Sequence, residues 1–149
     1  MSADIHSLAD YVPDDELVLV PEGNYELAYQ KHDTWLYMGR YPKVKITFRI
    51  FSFGEHHNKP LIAYYNPKKI MGKPKPKGKF SAGWRSRLMM DFATCFGAPA
   101  RKDQIPMSKF EESIVIGKVR TVTHNKDQRK YPDGLEYSVV SELLGVKKL

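Results

Sequence analysis

Residues 43–50, KVKITFRI, alternate without a break: Val44, Ile46, Phe48 and Ile50 fall on one side, and Lys45, Thr47 and Arg49 on the other. Period two belongs to a strand with one apolar and one polar face, whereas a helix of the same sequence would scatter these apolar residues around its circumference. The backbone donors and acceptors of such a strand need partners, so the chain must supply further strands to pair with it.

The flanking sequence supplies them. In EGNYELAYQKHDTWLYMG, Tyr25, Leu27 and Tyr29 alternate with Glu26, Ala28 and Gln30; the pattern breaks near residues 31–34 and resumes through Trp35, Leu36 and Tyr37. That predicts either one long bent strand or two short ones. After the turn-like GEHHNKP, LIAYY reads as a third strand. From Trp84 the period changes, because Leu88, Phe92 and Cys95 fall at helical spacing with Met89, Ala93 and Phe96 beside them, and Gly97 and Pro99 end the helix. Ser108 and Glu111 fit a capping box for at most one helical turn. SIVIGKVRTVT predicts a fourth strand with a bulge at Gly117, and after the polar HNKDQRKYPDG a fifth follows in LEYSVV, running into SELLGVKKL. The order β-β-β-α-β-β predicts a mainly β fold, a five-stranded OB-fold-like barrel with its helix between strands three and four. A different five-stranded roll would give the same string. One domain is expected over residues 21–149, preceded by an acidic segment over 1–20.

Charge then narrows the partner. Residues 1–22 hold Asp4, Asp10, Asp14, Asp15, Glu16 and Glu22 with no lysine or arginine, while the rest sets 24 basic against 11 acidic side chains, a net +13. A body this basic suits a polyanion, and nucleic acid is bound largely through counterion release from its phosphates. An anionic membrane is disfavoured, since no amphipathic basic helix is present to lie on it. The acidic leader reads either as a solvated tail, as a competitor for the basic face, or as a docking segment for a protein partner. No run reaches membrane-spanning length and MSADIHSLAD lacks the basic start and apolar core of a signal peptide, so a cytoplasmic location is expected. Cys95 stands alone, which excludes an internal disulfide and a cysteine-based zinc cluster.

The most basic stretch, YYNPKKIMGKPKPKGKF, carries Lys68, Lys69, Lys73, Lys75, Lys77 and Lys79 with no acid. Pro74 and Pro76 hold it extended, so the lysines stay spread along a line instead of folding into a helix. Single-strand binders combine such a positive track with rings on which bases stack. Lys45 and Arg49 are expected on the polar face of the second strand. Tyr64 and Tyr65 end the third, and because neighbours in a strand point to opposite faces, one of them stacks and the other packs inside. Trp84 and Arg85 follow at the helix start, where Trp84 reads equally as a stacking ring or a core residue. Trp35, Tyr37, Arg40 and Tyr41 form a second aromatic and basic cluster, and Arg120, Lys126, Arg129, Lys130 and Tyr131 add charge and a ring to the final hairpin.

Catalytic motifs are poorly matched. In GKPKPKGKF five residues separate Gly72 from Gly78 where a phosphate loop needs four, and Phe80 stands where Ser or Thr would meet magnesium. His56 and His57 are adjacent in a turn with no HExxH frame. Pro132, Asp133 and Glu136 resemble a nuclease motif but lack its following lysine and a converging set of carboxylates. No cofactor, metal or catalytic residue is expected.

Over roughly residues 21–145 the chain resembles the small OB-fold single-stranded DNA-binding proteins of phages and other mobile elements. The resemblance rests on PEGNYELAY, KVKITFRI and the hairpin IGKVRTVTHNKDQRKYPDGLEYSVV leading to a terminal LL. It implies sequence-tolerant binding of single-stranded DNA in replication or recombination, with homo-oligomers common among such proteins. The chain departs from that plan in ending on VKKL and carrying its acid at the front, which puts recruitment through a C-terminal tail in doubt. The alternatives are an RNA-binding module, which the same surface would serve, and a metal-dependent nuclease or nickase.

Overall fold

The computed structural model describes residues 17–124, 128–132 and 134–147. Among these residues seven strands and two helices follow one another: β1 (Gly23–Tyr37), β2 (Tyr41–Ile50), β3 (Pro60–Tyr65), β4 (Lys69–Met71), β5 (Lys79–Ser81), α1 (Arg87–Phe96), α2 (Ser108–Glu111), β6 (Ile114–Val122) and β7 (Tyr137–Val146). Five of them form one antiparallel sheet in the order β3-β2-β1-β6-β7, and β4 and β5 pair with each other. Among the described residues no helix is long and apolar enough to cross a membrane.

β1 is the hinge of this sheet. It runs unbroken for 15 residues, the single bent strand of the two sequence alternatives, and its register against β2 shifts between Tyr29 and Lys31. Gln30 is the extra residue, and a bulge of this kind bends the strand and increases its twist. Residues 23–28 pair with β6, whereas beyond the bulge that edge turns to the lysine segment instead. The turn into β2 places both Met38 (φ 54°) and Gly39 (φ 71°) in the left-handed region, the geometry that matches hairpin twist and brings Tyr37 opposite Tyr41. Further register shifts fall between Ile116 and Gly117 and between Lys118 and Val119, where the extra residues are Leu144 and Ser141, so the bulges lie on β7 and not at Gly117 as expected; a Cβ on Gly117 would stand 2.5 Å from Leu27 Cδ1, a core side chain packed over the glycine.

Val44, Ile46, Phe48 and Ile50 are all buried and meet Leu27, Leu61, Ala63, Val115, Val119, Val140 and Leu143 from the other strands. α1 covers this core with Leu88, Met89 and Phe92. Its first turn is capped by Ser86, whose Oγ accepts from the Met89 amide, and Gly97 at φ 82° ends it. α2 is the single turn expected, but Met107 occupies its N-cap without a side-chain bond, so the Ser108–Glu111 capping box does not form. Its value is Phe110, buried among Tyr29, Phe48, Phe92 and Phe96 with ring centroids 5.0 to 6.1 Å away. Rings of this size dominate core energetics, and that explains why so short a helix is held.

α1 also joins the two ends of the sheet. It packs on β7, while the Tyr65 hydroxyl of β3 donates to Asp91 Oδ2 at 2.7 Å, and β3 and β7 themselves have Cα pairs within 8 Å. Val18 and Val20, on the leader side of the boundary expected after residue 20, belong to this packed body. Ser138 donates its amide to the Val18 carbonyl and accepts the Val20 amide on its Oγ, and Val20 is 3% exposed. The acids Asp4, Asp10, Asp14, Asp15 and Glu16 lie outside the described residues.

Candidate nucleic-acid interface

In antiparallel pairing, residues directly opposite share a face. Trp35 of β1 stands opposite Lys43 of β2, and Lys45 stands between Asp33 of β1 and Tyr64 of β3. These five residues therefore face away from Val44, Ile46 and Tyr65. On this face Trp35 and Tyr64, both half-buried, meet edge to face with ring centroids 6.5 Å apart. Beyond Trp35 the rings of Tyr37 and Tyr41 lie 6.5 Å apart and are exposed by 37% and 49%. Cations flank them: the Arg40 guanidinium is 5.3 Å from the Tyr41 centroid and Lys43 Nζ is 5.8 Å from that of Tyr37. Lys43 also donates to Asn66 Oδ1 at 2.6 Å.

The band continues toward the final hairpin. Tyr64, Arg87, Arg120 and Tyr137 line one cavity of about 160 Å³ with Val122, Val139 and Val140. Arg87 is positioned by its bond to the Tyr64 carbonyl (3.1 Å) and lies 4.8 Å from the Tyr65 ring centroid, and Tyr137 has Tyr131 beside it at 6.1 Å. Half-buried and exposed rings thus alternate with arginine and lysine from the β1–β2 turn to the β6–β7 hairpin.

The lysine segment is not a free loop. Thr34 donates its amide to the Lys75 carbonyl, and its Oγ1 lies 3.1 Å from both the carbonyl and the amide of Lys75. Lys77 donates its amide to the His32 carbonyl at 2.8 Å. The His32 ring, buried, lies 3.2 Å from the Gly78 carbonyl through Nε2 and 2.7 Å from the Tyr29 hydroxyl through Nδ1. Donation from Nε2 leaves Nδ1 to accept from Tyr29, so one tautomer satisfies both bonds. Burial lowers the His32 pKa, against the opposing pull of the Gly78 carbonyl and the Asp33 carboxylate. Burial also pushes the Tyr29 hydroxyl up to about 12. Clipped in this way to the part of β1 that β6 leaves open, the segment exposes Lys73, Lys75, Lys77 and Lys79.

Several sequence expectations change here. Lys45 is 1% exposed and Thr47 is buried, so the outward face of β2 is not the open basic strip its alternation suggested. Lys45 lies opposite the equally buried Asp33 in the β1–β2 pairing. Arg49 is half-buried and donates to Gln30 Oε1 at the bulge and to the Asn58 carbonyl, a structural duty. Of the tyrosine pair, Tyr65 is the packed member, and burial beside Asp91 holds its hydroxyl well above the usual range. Trp84 is 49% exposed and precedes α1 instead of packing under it; with exposed Lys69 it lies at a different cavity from the Tyr64 band, and Arg85 beside it in the chain is exposed. Lys68 is exposed while its amide binds the Ser81 carbonyl, and exposed Arg129 and Lys130 sit in the hairpin loop; Lys126 lies outside the described residues. Lys43, Arg87 and Tyr137 complete the band, and the signal for two of them was present: Lys43 continues the Lys45–Arg49 alternation, and Tyr137 opens the fifth strand.

Among the described residues no group of three or more His, Cys, Asp or Glu is arranged to hold a metal ion; Asp133 of the weak nuclease motif lies outside them. No protein-family model matches the chain, and no curated protein or solved structure is significantly similar to it.

Proposed function

We propose that this chain is a sequence-tolerant single-stranded DNA-binding protein on an OB-fold-like barrel, acting in replication or recombination of a phage or other mobile element. The barrel reading is supported by the strand order, in which β1 belongs to both β3-β2-β1 and β1-β6-β7, and by the approach of β3 to β7 under α1. The observation that carries the function is the band of Tyr41, Tyr37, Trp35, Tyr64 and Tyr137 interleaved with Arg40, Lys43, Arg87 and Arg120. A ring accepts the face of any base, and a cation beside it meets the adjoining phosphate. Bases must be unpaired to reach such rings, which makes single strands the substrate. The lysine segment, fixed on β1, extends the positive track without demanding any particular base.

Parallel titration of labelled oligo-dT, oligo-U and a duplex of equal length, with magnesium and manganese present, tests this reading. It predicts micromolar or tighter binding to oligo-dT at low salt, weaker binding to duplex, and intact strands at the end. Equal affinity for duplex would reduce the protein to a nonspecific polycation; tighter binding of oligo-U would make it an RNA-binding module; cleavage would make it a nuclease.

A further inference from the structure

Trp84 stands apart from the aromatic band. It lines a second cavity of about 500 Å³ together with Lys69 and Met71 of β4, Ser81 of β5, and Ala100, Arg101, Lys102 and Asp103. The walls are tied to the fold: Lys68 donates its amide to the Ser81 carbonyl, and Ala82 donates its amide to the Lys102 carbonyl. Asp103 is engaged by Arg101 through two bonds of 2.7 and 2.9 Å. That pair is neutral as a unit, so Lys69 and Lys102 set the sign of the site. An exposed indole, an adaptable methionine in the same cavity and two lysines combine a stacking surface with phosphate-neutralising charge.

We propose that this cavity is a second subsite for one nucleotide of the same single strand, its base on Trp84 and its phosphates toward Lys69 and Lys102. The inference rests on the single-strand reading above. The two sites are connected through the chain: Arg87, which lines the cavity of the Tyr64 band, lies three residues after Trp84, and the anchored lysine segment runs between β4 and β5. A strand long enough to extend past the aromatic band follows this basic route to Trp84, whereas a short one stays on the band, where more rings are gathered.

The test compares wild-type protein and Trp84→Ala by anisotropy with labelled oligo-dT of about six and about twenty nucleotides, lengths that bracket the span one small barrel holds. The expected result is a loss of about 5- to 150-fold on the long strand, the effect of removing one stacking ring, and no change on the short one. Lys69→Gln with Lys102→Gln should lower affinity for the long strand alone and flatten its salt dependence. Equal losses at both lengths, or none at either, would overturn the subsite while leaving single-strand binding standing. Failure of the wild type to bind either oligonucleotide would remove both. Thymidine monophosphate is a separate probe: if it quenches Trp84 emission at micromolar concentration in a Trp35→Phe background, the cavity is an independent nucleotide pocket, and the continuous route is wrong.

Discussion

Gly78 holds the lysine segment against β1 by having no side chain. A Cβ there would overlap Thr34 Oγ1, approach Thr34 Cγ2 to 3.1 Å and lie 3.0 Å from the Lys75 carbonyl. Gly78→Ala must therefore push Thr34 aside or lift the segment. Displacing a packed side chain costs about 1 to 3 kcal/mol, and losing the two Thr34 Oγ1 bonds to Lys75 adds about 0.5 to 1.5 kcal/mol each, so a total of about 2 to 6 kcal/mol is expected. For a chain of 149 residues that lowers Tm by about 4 to 24 °C. Thermal unfolding by circular dichroism measures it, and Thr34→Ala combined with Gly78→Ala should recover part of the loss, because it removes two of the three close contacts. The same variants separate anchoring from charge. Gly78→Ala should weaken oligo-dT binding with its salt slope retained, since every lysine remains. Gln at positions 73, 75, 77 and 79 should leave Tm unchanged and flatten the slope by about 2, the effect of about three phosphates at 0.7 each. A Gly78→Ala protein that melts with the wild type would mean that the segment is not clipped to β1 through Gly78 and Thr34.

Tyr64→Ala should cost about 1 to 3 kcal/mol of oligo-dT affinity with its salt slope intact, whereas Tyr65→Phe should leave binding unchanged and reduce stability by about 1.5 to 3 kcal/mol in urea titration, because the buried Asp91 carboxylate loses its hydroxyl donor. Deleting residues 1–16 removes five acids and spares Val18 and Val20, taking the net charge from +7 to +12. Tighter binding to oligo-dT is expected at low salt, with the gain fading as salt is raised. Because burial lowers the His32 pKa in the folded chain, its unfolded form binds the proton more readily; stability should hold above about pH 6.5 and fall as pH drops below it. Urea unfolding at pH 7.5 and 5.5 measures the drop, which His32→Gln should reduce.

The strands were legible because each carries its own period. KVKITFRI needs no tertiary information to show that Val44, Ile46, Phe48 and Ile50 share a face turned to the core, and Gly97 marks a helix end for a backbone reason that acts locally. β4 and β5 were not legible: three-residue strands inside a lysine- and proline-rich stretch show no period, and they exist because that stretch is held to β1 by His32 and Thr34, more than forty positions away. Lys45 defeated the alternation rule for the same reason. A strand pattern distinguishes two faces, but only the partner strand reveals that Asp33 lies across from Lys45 and that the outward face is covered there. The site was legible as a composition of rings and cations, while its grouping into one band and a separate Trp84 cavity required the register and the position of α1.

If bases, and not phosphates alone, are held on the band from Tyr41 to Tyr137, a strand stripped of its bases must bind far more weakly. The direct measurement compares oligo-dT with an abasic strand of the same length and backbone charge, titrated across a salt series. Parallel salt slopes are expected for the two strands, with at least a hundredfold weaker binding of the abasic one, since each lost stack removes about 1 to 3 kcal/mol. Equal affinity at every salt concentration would contradict it, leaving a protein that reads only charge.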